Sequence, residues 1–121
     1  MVLADLELKY GDWIRTAFEG VFSSLEKTGD DALISKGYEQ FRDVAITSTA
    51  EEVKDLSYFI EKIDWSNPID SAYALNQEIE RGTGLTKEYA QGMLEVDSSF
   101  FSAGNQMQYF LKSSEFEDMK E

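Results

Sequence analysis

Apolar residues recur along the chain at spacings of three and four, the period of a helix with one buried side. Leu3, Leu6, Tyr10, Ile14, Ala17, Val21 and Leu25 share one side of a predicted helix from Leu3 to Lys27, flanked by Trp13, Phe18 and Phe22. Asp5, Asp12, Glu19 and Glu26 fall on the opposite side, one every seven residues, which makes this an amphipathic surface helix. Gly11 and Gly20 interrupt it, and each costs about 1 kcal/mol relative to Ala, so they mark a kink or a close helix contact.

Thr28-Gly29-Asp30-Asp31 combines a glycine stop with an aspartate start, and predicts a second helix from Ala32 to Ala45 with Leu33, Ile34, Tyr38, Phe41 and Ala45 inward. Thr49 followed by Glu52 has the spacing of a capping box, and Val53, Leu56, Ile60 and Ile63 then form a narrow stripe to about Asp64. Asn67-Pro68 launches a fourth helix, with Ile69, Ala72, Tyr73, Leu75 and Ile79 inward, that runs to Gly82. Thr86 is expected to cap the last helix, whose inward side is Tyr89, Met93, Val96, Phe100, Ala103, Met107 and Phe110. A second line of Ala90, Leu94 and Phe101 widens its apolar face, and Asp97-Ser98-Ser99 is a point where it can break in two. The pattern predicts an all-α bundle of about five helices, one domain over residues 1–112, followed by an acidic tail at 113–121 that should fray.

Composition narrows what such a bundle can do. The 121 residues hold 11 Lys plus Arg against 24 Asp plus Glu, a net charge of −13, with no His and no Cys. Disulfide frameworks, thiolate catalysis, the common zinc sites and histidine phosphorelays therefore lack their side chains. Serine and threonine have no histidine base, and no phosphate-loop or nucleophile-elbow motif occurs. Asp30-Asp31 with Glu39, and Glu51-Glu52 with Asp55, could offer oxygen ligands to a divalent cation, but acids at helix starts are favoured by the macrodipole without any metal. The expectation is a non-enzymatic protein without metal or cofactor. The acidic start and the lack of an 18-residue apolar run point to a cytoplasmic protein with no membrane contact. Direct nucleic-acid binding is opposed by the charge.

What remains is a surface for another protein. Tyr58 and Trp65, seven apart, fall on the polar side of the third helix beside Glu51, Asp55 and Glu61, where aromatic anchors framed by acids would form a partner-binding face; a covering helix is the competing account. Asp12 and Glu19 are the associated steering charges. The functional expectation is an immunity- or antitoxin-like antagonist that occludes the active site of a basic partner such as a nuclease toxin. Two alternatives stand beside it. One is a helical adaptor or secretion chaperone gripping a client, or a second copy of the chain, through the face from Tyr89 to Leu111. The other is an acidic nucleic-acid mimic, although acids about 10 Å apart along one helix are spaced more widely than phosphates.

Overall fold

In the computed structural model, which describes residues 3–102, 104 and 106, the described residues form helices joined by short turns, with no strand among them. Among the described residues seven helices replace the expected five: α1 Leu3–Tyr10, α2 Trp13–Glu26, α3 Asp31–Thr47, α4 Ala50–Lys62, α5 Pro68–Arg81, α6 Leu85–Leu94 and α7, which opens at residue 99. Both extra helices arise at interruptions that the pattern marks, Gly11 and Asp97-Ser98-Ser99. Gly11 adopts φ +100°, a conformation closed to side chains with a Cβ, so the first predicted helix ends at Tyr10 and restarts at Trp13. The break at Asp97-Ser98-Ser99 is made, and α7 begins there. The tail at 113–121 lies outside the described residues.

Three helix starts are capped by a nearby side chain. Asp30 accepts from the Ala32 and Leu33 N–H groups at 3.0 and 3.2 Å and caps α3. Thr49 and Glu52 exchange both bonds of a capping box, at 3.0 and 3.2 Å, and start α4. Asn67 accepts from Ile69 and Asp70 at 3.0 and 3.2 Å, with Pro68 in the first turn of α5. The cap of α6 is Gly84 at φ +70°, not Thr86, whose hydroxyl instead donates to Glu78 of α5 at 2.5 Å. Helix ends are closed by other elements: Lys9 donates to the Ile46 carbonyl at 3.0 Å and Tyr10 to that of Ala45 at 2.8 Å, so α1 satisfies the last turn of α3.

Two helices carry most of the packing. α2 rests against α1, α3 and α4, while α6 rests against α3, α4 and α5. Side-chain contacts set the directions. Phe18 meets Phe41 and Phe22 meets Tyr38, so α2 and α3 are antiparallel. Lys54 lies over Trp13, and Gly20, seven residues on, faces Glu61, seven beyond Lys54, so α2 and α4 are parallel. Gly37 against Tyr89 and Gly92 against Gln40 make α3 and α6 parallel too. One core joins Leu6, Ile14, Val21 and Leu25 to Leu33, Phe41, Val53, Leu56, Ile60, Leu75 and Met93. The stripe predicted on α4 is buried in full, whereas Tyr73, expected inward on α5, is 46 % exposed. Among the described residues no helix is long and apolar enough to cross a membrane.

Candidate functional site

α4 positions the acidic and aromatic side chains singled out by the sequence. Its buried edge is Val53, Leu56, Ile60 and Ile63, so the opposite edge, Glu51, Asp55, Tyr58 and Lys62 at helical spacing, faces solvent. Tyr58 is 67 % exposed, and the Lys62 ammonium sits over its ring at 5.3 Å, so one ring face carries a cation and the other is open. Glu61 turns away from this strip toward α2, where its carboxylate lies against Gly20 in space that a Cβ would fill. Asp12 and Glu19 are exposed on α2, the parallel neighbour. Glu19 also borders a cleft of about 300 Å³ whose walls are Leu3, Phe18, Phe22 and Tyr38.

Trp65 is a correction. It is fully buried, not part of the exposed face, because its indole N–H donates at 2.7 Å to the Ile60 carbonyl in the last turn of α4 and its ring packs on Phe101 at 6.2 Å. That carbonyl also accepts the Ile63 N–H at 3.3 Å, so the indole adds a second, shorter bond at the helix end while filling the core. Trp65 therefore closes α4, and the covering-helix account holds for it but not for Tyr58.

The strip continues into concave ground that sequence reasoning missed. Between α4 and α5 a groove of about 470 Å³ has Phe59, Ile63 and Ala74 on its walls, Tyr73 standing out from α5, and Lys62 and Arg81 among its charged groups. At the other end of α4, Glu52 and Asp55 border a hollow of about 200 Å³ against the Thr83-Gly84 loop. The spacing of Tyr58 and Lys62, four residues apart, was the available signal for the cation over the ring. Nothing local marked Tyr73, since only the packing of α5 on α6 turns it outward.

Two acids here are held ionised. The Thr49 backbone N–H, then its hydroxyl, keeps the Glu52 carboxyl below the usual range; at the groove, the Ser66 hydroxyl, then its N–H, does the same for Asp64. Among the described residues no three Asp or Glu side chains converge as a metal-binding group. The arrangement offers fixed negative charge, one open aromatic face and a groove with apolar walls, which together suit recognition of a cationic protein surface. No family model matches this chain, nor does any curated protein or solved structure with which it was compared.

Proposed function

We propose that this chain is a non-enzymatic, cytoplasmic binding protein of the immunity or antitoxin kind, which uses the α4 face to cover a basic partner such as a nuclease toxin. The observation that carries the reading is Tyr58, 67 % exposed one turn beyond Asp55 on the edge that Glu51 begins, on a helix with a complete capping box. An exposed ring costs a folded chain apolar contact with water, and a rigid two-torsion side chain is an efficient anchor. The net charge of −13 supplies attraction at a distance for a cationic partner. The adaptor alternative has part of its apolar face in the core: Tyr89, Ala90, Met93 and Phe101 are buried, while Leu94, Val96 and Phe100 are partly exposed. Ala103 and the positions beyond residue 106 lie outside the described residues.

The test is retention of partners from source-cell lysate by the immobilised chain, compared with Asp55→Lys/Glu61→Lys, Tyr58→Ala and a control reversal, Glu39→Lys on α3. A basic protein held by the wild type and the control, released by moderate salt and not captured by the double variant, is the expected result. Tyr58→Ala should release it faster with an unchanged association rate. Equal capture by the double variant, or a partner that withstands about 1 M salt, overturns the reading.

A further inference from the structure

Asp30 joins two helix starts 68 residues apart in the chain. One carboxylate oxygen, Oδ1, accepts from Ala32 and Leu33 and opens α3; the other, Oδ2, accepts the Ser98 hydroxyl at 2.5 Å. The Ser98 oxygen in turn accepts the Phe100 N–H at 3.1 Å, so the residue that caps α7 commits its proton to Asp30. Immediately beyond, Phe101 is buried and covers the Trp65 ring. Upstream the connection is local: the Glu95 and Val96 N–H groups bond only back to Gln91 and Met93 at the end of α6, and Asp97 is exposed. Residues 98–101 are thus held by the Asp30 bond and by apolar packing, Phe101 within the core and Phe100 against it, while Gly104 on the same helix lies against Pro68.

We propose that the Asp30–Ser98 hydrogen bond is a latch, and that breaking it lets residues 98–102 open as a unit and uncovers Trp65 while α2, α3 and α4 stay packed. Opening gives up every cross-contact of the segment, and the Ser98–Asp30 bond is the one among them that a single substitution removes without emptying the core, so its strength sets how far the open population rises. Here that contact is charge-assisted: Ser98, the largest influence on Asp30, holds its carboxyl below the usual range, so the acceptor is ionised near neutral pH. The device needs no partner and stands whether or not α4 binds one.

Ser98→Asp separates the latch from the cap, because aspartate caps a helix as well as serine does but cannot donate to Asp30 and repels it. Ser98→Asn keeps both functions, the amide oxygen for the cap and the amide N–H for Asp30. On the full chain, hydrogen exchange of the 99–102 amides should accelerate about ten- to hundredfold in Ser98→Asp, the range a hydrogen bond to a charged group commands. Trp65, read by acrylamide quenching in a Trp13→Phe background, should become accessible, while amides 53–60 of α4 keep their protection and Ser98→Asn behaves as the wild type. Unchanged exchange in Ser98→Asp, loss of protection in α4 to the same degree, or a Ser98→Asn variant that opens equally would each overturn the latch.

Discussion

Gly37 and Gly20 sit in helix interiors, where glycine is ordinarily a defect, and each faces a neighbouring helix. A Cβ on Gly37 would lie 2.7 Å from a Leu25 methyl and 2.8 Å from the Tyr89 hydroxyl, both locked in the core. On Gly20 it would meet the Glu61 carboxylate at 1.7 Å, but that group ends a long, exposed side chain with room to swing away. Gly37→Ala should therefore destabilise by about 1–3 kcal/mol through overpacking. Gly20→Ala should be neutral or stabilise by up to about 1 kcal/mol through helix propensity. Urea unfolding of the two variants decides, and a shared sign would show the helix contacts to be misassigned. Sequence made Gly20 conspicuous as a contact or a kink, yet could not say that Gly11 is the kink and Gly20 the contact. The difference is a backbone angle at one and a neighbour forty-one residues away at the other. Trp65 and Tyr58 teach the same point: two helical turns relate them, but Trp65 lies past the end of α4, where the chain turns inward and the indole reaches the Ile60 carbonyl.

Helix starts were the most legible elements. The caps at Asp30, Thr49 and Asn67 are built from groups within three residues of each other, so their signals lie in short stretches of sequence. Thr86 fails as a cap because a glycine at positive φ two residues earlier already starts α6 and frees the threonine to bond Glu78. The α3 cap also carries a pH dependence. The folded Asp30 carboxyl is depressed, first by Ser98 and then by its helix N–H bonds, so its contribution is fully present above the unfolded carboxylate range and is lost as pH falls through the folded value. Stability should drop in acid below about pH 4. Asp30→Asn, which still caps, should flatten that part of the profile in denaturant titrations at successive pH values, and an unaltered acid slope would assign the sensitivity to other carboxylates.

For the molecule as a whole, charge is the dominant unbalanced term. A net −13 is set against ion pairs such as Arg15 with Glu7 and Arg42 with Asp43, the latter exposed. Self-repulsion should make the fold salt-sensitive in the unusual direction: Tm should rise between about 0.01 M and about 0.5 M sodium chloride as the screening length shrinks. A flat or falling Tm would show the acids to be spaced widely enough not to interact. The same charge underlies the proposed partner, whose binding salt should weaken, so fold and binding are expected to respond oppositely to one variable. By itself, the sequence determined the helical class, the capped starts and the edge of α4 that faces inward, because periodicity and capping are interactions within a turn or two of the chain. Only the tertiary structure decided that the first helix is two, that Trp65 is core, that Tyr73 stands at a groove and that Asp30 holds Ser98. The first rests on the backbone angle that Gly11 takes up, and the others on which helix lies against which, settled by contacts between residues far apart in the chain that no local pattern encodes.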